Sequence, residues 1–134
     1  MSTSRYMTIA TADADGTPWV TPVWFAPDGH DGLLWVSDPR ARHSRNIEAR
    51  SRVAIVIYDS RVAPADAQGL YLTAEAAQVD PASIAAFSRE SVARDVLGGP
   101  RREPLGDARH RLYRATILER WELGPGDQRI PLVG

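Results

Sequence analysis

Length, charge and composition restrict the kinds of protein that this chain can be. It has 134 residues, with 16 arginines, no lysine, 17 acidic residues and a formal net charge of −1. This length favours a single domain over residues 1–134, and the near-neutral charge predicts no nucleic-acid partner. Without cysteine or lysine, the chain has no disulfide, no thiolate chemistry and no side chain for a Schiff base. The absence of a long apolar run and of a signal pattern predicts a cytoplasmic protein without a membrane partner.

The first part of the chain predicts three strands joined by two turns. Residues 6–13 alternate in polarity, and the DADG sequence that follows is typical of a tight hairpin turn. Residues 17–25 predict a second strand, in which Pro18 and Pro22 each remove a backbone donor. Such a strand belongs at a sheet edge or at a bulge. A second turn then leads to a third strand over residues 33–37.

The rest of the chain predicts two helices and three further strands. Asp38 and Pro39 are typical of a helix start, with the aspartate as the N-cap. The predicted elements are a short helix over residues 38–50, strands over 52–58 and 70–79, a longer helix over 81–97 and a last strand over 110–123, followed by a C-terminal tail over 124–134.

These elements together predict a mainly β fold. Six strands, several of them linked by short turns, are typical of an antiparallel sheet. The helices are too few to cover both faces of a flat six-stranded sheet, so closure of the sheet into a barrel is favoured. We therefore expect a six-stranded antiparallel barrel with one short and one longer helix.

Basic residues are concentrated around the start of the predicted short helix. They are Arg40, Arg42, Arg45, Arg50 and Arg52, with His43 among them. Free N–H groups at a helix start and guanidinium groups both bind anions, which favours a phosphate site. The alternative is a solvated helix face on which arginines pair with Asp38 and Glu48. The local composition leaves both interpretations open.

A second candidate site is the segment Thr21-Pro22-Val23-Trp24-Phe25. Proline leaves backbone carbonyls unpaired, and the aromatic side chains offer a flat apolar surface. Both features suit an extended heteroaromatic ligand that lies against the strand. The alternative is an edge strand protected by proline, with Trp24 and Phe25 in the core.

The histidines do not predict a metal site. They are His30, His43 and His110, which are far apart in sequence, and the last two have arginine neighbours. A cationic setting disfavours a metal ion and lowers the basicity of histidine. The chain also lacks a nucleophile elbow, a P-loop and a glycine-rich dinucleotide motif. No catalytic side chain is therefore assigned.

Three stretches of the chain, taken together with their spacing, resemble the sequence of a known protein family. They are TIATADADG, TPWVTPVWF and LLWVSDPRARHSRNIEARSRVAIVIYDS, within residues 6–80. Together they resemble the pyridoxamine 5′-phosphate oxidase-like superfamily of FMN-binding split β-barrels, and RLYRATILERWEL is similar to the last barrel strand of that family. The resemblance implies a split β-barrel and a homodimer with FMN at its interface. It also implies an oxidoreductase that transfers hydride through flavin N5 on a small molecule.

The resemblance further implies which residues bind the cofactor. The phosphate-binding triplet of the family falls on Ala41, Arg42 and His43, where Arg42 matches and His43 stands in place of lysine. Arg45 keeps a further basic position. The contacts along the flavin ring fall on Thr21, Pro22, Val23 and Trp24 of the second strand and on Val36 and Ser37 of the third.

The same resemblance leaves more than one function open. The Arg-x-His signature that grips the substrate in true pyridoxamine phosphate oxidases is not recognisable here, which implies a different substrate. A deazaflavin-dependent reductase shares the barrel and the basic helix start. A non-catalytic binder of flavin or of another planar ligand would need only the pocket. Tyr113 and Trp121 either close the pocket from the partner subunit or pack in the core.

Overall fold

The sheet and the helix that position the site come from three stretches of the chain. The computed structural model describes residues 6–58, 69–83 and 110–132. The strands are β1 (Tyr6–Ala12), β2 (Pro18–Trp24), β3 (Ala26–Asp28), β4 (Gly32–Ser37), β5 (Arg52–Tyr58), β6 (Gly69–Gln78), β7 (Arg111–Leu123) and β8 (Arg129–Leu132). The described helical elements are α1 (Arg42–Ala49) and two 3₁₀ turns, Pro81–Ser83 and Pro125–Asp127.

The strands form one antiparallel sheet that curls on itself. Their order is β2-β1-β5-β6-β7-β4-β3, with β8 paired to β7. β2 and β3 stand at opposite ends of this order, yet only Phe25 separates them in the chain. Consecutive Cα atoms lie about 3.8 Å apart, so the two ends of the sheet must come together. The mainly β, antiparallel barrel fold predicted from the sequence is confirmed.

The sheet formed by the described residues has eight strands, where the sequence predicts six. The short β3 forms next to the predicted second turn and pairs Ala26 with Leu34. β8 forms inside the predicted tail over residues 124–134. It pairs with residues 120–123 of β7, beyond the part of β7 that pairs with β4. A free strand edge presents unpaired N–H and C=O groups, so the returning segment is stabilised there.

The helix α1 begins later than the sequence predicts. The prediction that Asp38 caps it is wrong, because the N-cap position is Ala41. The Asp38 carboxylate instead accepts hydrogen bonds from the backbone N–H and the guanidinium of Arg40, both at 2.9 Å. Of the longer helix predicted over residues 81–97, Pro81–Ser83 forms a 3₁₀ turn and the remainder lies outside the described residues. No helix in the three described ranges is long and apolar enough to cross a membrane.

The β1–β2 hairpin forms at the predicted DADG turn and anchors α1. The Asp13 carboxylate accepts hydrogen bonds from the backbone N–H groups of Asp15 and Thr17, both at 2.9 Å. Gly16 has a φ of 86°, which glycine adopts without strain. The guanidinium of Arg50 donates to two carbonyl oxygens of the turn at 2.8 and 3.0 Å. The C-terminal end of α1 is therefore tied to the hairpin.

Side chains on the inner face of the curled sheet form the core. Trp35 is completely buried and stacks on Tyr113, with ring centroids 5.9 Å apart. Tyr113 therefore belongs to the core, which decides between the two roles that the sequence left open for it. α1 adds Ile47 to the core, and the Asn46 amide donates a buried hydrogen bond to the Thr11 hydroxyl at 3.0 Å. The core also contains Met7, Ile9, Phe25, Ile55 and Leu72.

Candidate functional site

The start of α1 presents hydrogen-bond donors that the helix does not use. The first N–H groups of a helix have no intrahelical acceptor, and the N-cap residue Ala41 has no side chain that could accept from them. The first turn contains no acidic residue. The hydroxyl of Ser44 is buried in this turn and has no hydrogen-bond partner among the described residues. The helix start therefore favours a ligand that is negatively charged and rich in acceptors.

The structure divides the predicted arginine cluster into two groups. Three arginines have local partners, namely Arg40 with Asp38, Arg50 with the hairpin carbonyls and Arg52 with Glu75. Arg42 and Arg45 are exposed on α1, and no carboxylate of the described residues lies within ion-pair distance of either. The Arg42 guanidinium lies over the ring of Trp19, 4.4 Å from its centroid. The paired interpretation therefore applies to Arg40, and Arg42 and Arg45 remain the candidates for an anion site.

β4 and α1 bring Ser37 and His43 into contact. The Ser37 hydroxyl and Nε2 of His43 are 2.9 Å apart, and Ser37 is buried at the end of β4. Burial lowers the pKa of His43, so its imidazole is neutral near pH 7. The resemblance assigns both residues to the cofactor site, and the fold joins them although they lie on different elements.

An apolar groove of about 570 Å³ lies on the outer face of the sheet. Its lining residues come from six strands and include Thr8, Ala10, Val56, Tyr71, Trp121 and Arg129. The outer face of an antiparallel sheet is usually polar because it meets water. Here Ala54 of β5 is exposed, and its outward neighbour Val56 is only half-buried. A concave apolar surface of this size is typical of a ligand site.

The four β2 residues assigned to the flavin ring alternate between the faces of the sheet. Pro22 pairs with the groove residue Thr8. Pro22 and Trp24 therefore lie on the outer face, whereas Thr21 and Val23 face the interior. β2 stands at one end of the strand order, which confirms the edge position predicted from its prolines. Its far edge is unpaired in the described sheet, so backbone groups of this segment are available to a ligand.

Val36 lies apart from the groove. It packs against a second, small apolar cluster formed by Ala26, Leu34 and Leu112. Of the two β4 residues that the resemblance assigns to the ring, Ser37 forms a hydrogen bond with α1. The described structure thus groups Ser37 with the start of α1 and leaves Val36 on a different surface.

Sequence reasoning missed Trp19, Tyr71 and Arg129. Tyr71 comes directly before the buried Leu72 in β6, so it points to the outer face. An aromatic residue at an outward position of a predicted strand was the signal that could have identified it. Arg129 falls in the predicted tail, where no pattern predicted that β8 would bring it to the groove. Its guanidinium lies over the ring of Tyr71, 3.9 Å from the centroid. Trp121 lines the groove of its own chain and lies outside the core cluster, which argues against the core role; its role toward a partner subunit stays a prediction.

The curled antiparallel sheet with α1 at its edge defines a split β-barrel protein. A family model described as pyridoxamine 5′-phosphate oxidase matches residues 1–122, so the chain belongs to the pyridoxamine 5′-phosphate oxidase family. The resemblance seen in the sequence is thereby confirmed. No curated protein matches the chain.

Similar solved structures differ in the molecules that their names mention. HutZ, a heme storage protein from Vibrio cholerae, is 21% identical with a TM-score of 0.68, and the match covers 87% of this chain and 84% of that one. A heme-binding protein from Mycobacterium smegmatis is 16% identical with a TM-score of 0.80, over 98% of this chain and 54% of that one. An F420 reductase is 28% identical with a TM-score of 0.63, over 87% and 89% of the two chains. The fold is thus shared by proteins with different ligands.

Proposed function

We propose that this protein is an oxidoreductase that binds FMN in the outer groove and acts on a small molecule other than pyridoxamine phosphate. The observation that carries the proposal is that β2 connects the groove to the basic start of α1. The Val20 side chain lines the groove on the outer face, and the adjacent Trp19 side chain lies on the opposite face of the strand, where it contacts Arg42. A ligand with a flat ring system in the groove and a phosphate that reaches past the free edge of β2 to α1 suits this arrangement.

The α1 end of the site fits a phosphate. Arg42 and Arg45 would supply positive charge, and the first-turn N–H groups would donate to phosphate oxygens. Serine is usual in the family where this chain has Ala41, and Ser44 offers a hydroxyl in the same turn. A buried hydroxyl without a partner costs roughly 1–3 kcal/mol, which an acceptor brought into this turn would reduce.

The groove fits a flavin ring. Its lining is largely apolar, with Tyr71 and Trp121 as aromatic side chains. Its volume of about 570 Å³ lies in the usual range for ligand sites. At the free edge of β2, alternate residues between Thr21 and Trp24 offer backbone groups to the polar rim of the ring, and Pro22 can offer only its carbonyl. Bound FMN would supply hydride transfer at N5, while the chain binds the ring, orients it and excludes water from one face.

A second copy of the chain completes the site in this proposal. The groove is open, and Val20 and Tyr58 on the same outer face are 59% and 53% exposed. An exposed apolar patch of this kind is typical of an interface. A two-fold homodimer would cover the outer face of both copies and enclose two equivalent cofactor sites.

Heme is a poorer match to the groove, although two of the similar structures are of heme proteins. Heme iron is held by His, Cys, Met or Tyr side chains. The lining formed by the described residues contains no His, Cys or Met. Its tyrosine, Tyr71, is covered by the guanidinium of Arg129.

A deazaflavin is the second candidate cofactor. The 28% identity to an F420 reductase over 87% of this chain favours it. The same groove would hold the deazaflavin ring, and Arg42 and Arg45 would bind an acidic tail.

The proposal is tested by visible absorption spectroscopy. The purified protein is incubated separately with FMN, a deazaflavin and hemin, and unbound ligand is removed by gel filtration. We expect FMN to be retained at about one molecule per chain and to be bleached by a nicotinamide reductant. Retention of the deazaflavin alone would support the second candidate, and retention of hemin alone would overturn both. FMN that is retained but never reduced or reoxidised in turnover would make the protein a binder.

A further inference from the structure

The groove contains a cation that the proposed cofactor contacts do not use. Arg129 is the charged residue among the described residues that line the groove. Its guanidinium carbon lies 3.9 Å from the centroid of the Tyr71 ring. No carboxylate of the described residues lies within ion-pair distance of Arg129. An arginine without an acidic partner, beside apolar surface, favours an anionic ligand.

The pairing of β8 with β7 positions Arg129 over the groove. Pro131 stands opposite the groove residue Trp121, and Arg129 stands opposite Leu123. Residues two apart in a strand share a face, so Arg129 projects on the same side as Pro131. Nη1 of Arg129 donates to the carbonyl oxygen of Asp127 at 2.8 Å. The remaining N–H groups of the guanidinium stay available to a ligand.

We infer that Arg129 binds the anionic group of a planar substrate in the groove, so that the substrate class is an aromatic or heteroaromatic anion. The inference rests on the proposed function, because it takes the groove as the site where the reaction occurs. Contact with the Tyr71 ring holds the guanidinium plane at the groove. The edge of that plane can then bind two oxygens of a carboxylate or of a phosphate.

The anion could also belong to the cofactor, since FMN carries a phosphate. These two sources are separated by comparing FMN with riboflavin, which has the same ring and no phosphate. If Arg129 binds the substrate, Arg129→Gln leaves the ratio of the FMN and riboflavin affinities unchanged. A variant that loses affinity for FMN but not for riboflavin would assign Arg129 to the cofactor phosphate and overturn the substrate role.

The substrate role is tested with nicotinate and nicotinamide, which share a ring and differ in charge. Each is titrated into the protein, with and without FMN, and the indole N–H resonance of Trp121 is followed by NMR. We expect nicotinate to bind about fivefold more tightly than nicotinamide, as for a partly exposed ion pair. Arg129→Gln should abolish this preference. The control Arg52→Gln, which removes an outer-face cation already paired with Glu75, should keep it.

The outcomes for the anion site and for the cofactor are distinguishable. Equal affinities for the two probes, no shift of the Trp121 resonance, or a preference that survives in Arg129→Gln would overturn the role of Arg129. A protein that retains no flavin but still prefers nicotinate through Arg129 would refute the proposed function and support the anion site.

Discussion

The inner and outer faces of β1, β5 and β6 differ in how exposed their apolar side chains are, and the pattern within each strand does not explain this difference. On the inner face, Ile9, Ile55 and Leu72 are at most 3% exposed. On the outer face, Ala54 is exposed and Val56 is half-buried, although both are apolar. Antiparallel sheets usually alternate apolar inward and polar outward residues. Here the groove region of the outer face is also largely apolar, but only the inner face is covered by the described chain.

The curl of the sheet explains why the inner face carries apolar side chains, but it does not explain the apolar side chains of the outer face. Closure brings the inward side chains of opposite strands together, so their burial stabilises the single chain. The outward side chains gain nothing from this closure. The proposed function accounts for their apolar character, because a bound ligand and a second copy would cover this surface.

The largest expected effect is on the free energy of unfolding, and it differs between two neighbouring residues of β5 that lie on opposite faces. Ile55→Ala should lower the free energy of unfolding by about 2–5 kcal/mol, because it creates a cavity in the core. Val56→Ala should cost about 1 kcal/mol or less, because its side chain is already partly in water. Urea denaturation of both variants measures the difference. Similar losses in the two variants would contradict the distinction between the faces.

The next effect concerns the assembly of two copies. Ala54→Arg should raise the dissociation constant of the dimer at least hundredfold, about 2.7 kcal/mol, because it introduces a charge into an apolar contact. Light scattering at micromolar concentration measures the mass. Ala14→Arg, which changes the exposed hairpin turn, is the control and should remain dimeric. A parent protein that is monomeric under these conditions would refute the dimer.

A third variant tests whether the site extends from the outer face to α1. Arg42→Ala should weaken FMN binding at least tenfold, about 1.4 kcal/mol, because it removes a cation from the phosphate end. Arg40→Ala should have little effect, because Arg40 is paired with Asp38. Fluorescence titration with FMN compares the two. Unchanged affinity in Arg42→Ala would show that the phosphate is bound elsewhere.

The smallest effect is the pH dependence that comes from His43. Burial lowers its pKa in the folded protein below the ordinary value of 6.5. The unfolded chain therefore binds a proton first, and stability is lost as the pH falls below about 6.5. His43→Asn should reduce the loss of melting temperature between pH 7.5 and pH 5.5 by about 1–2 °C. A loss in His43→Asn equal to that of the parent would contradict this assignment.

Local patterns were sufficient for much of the fold. The DADG turn, the prolines of β2 and the apolar run of β5 each predicted an element that the structure contains. The prediction of the helix start was wrong because Asp38 has two competing uses. Its carboxylate can cap a helix or bind Arg40 in a turn, and both choices use contacts of the same short range. A local pattern does not distinguish between them.

The candidate site depended more strongly on tertiary contacts. The sequence showed five clustered arginines, but it did not show which of them have partners. Arg50 donates to the distant hairpin, and Arg52 pairs with Glu75 on the next strand. Both contacts exist only after β5 has paired with its neighbours in the sheet. This is why Arg42 and Arg45 could not be separated from the others before the fold was known.

Alternation and turn residues are properties of adjacent positions, and from these the chain could be assigned strands, a barrel and a basic helix start. The roles of Tyr113, Trp121 and Arg129 depend on strand order and on the curl of the sheet. Tyr113 stacks in the core, Trp121 lines the groove, and β8 carries Arg129 to Tyr71. These contacts join residues that are distant in the chain, so only the folded structure assigns each side chain to the core or to the groove.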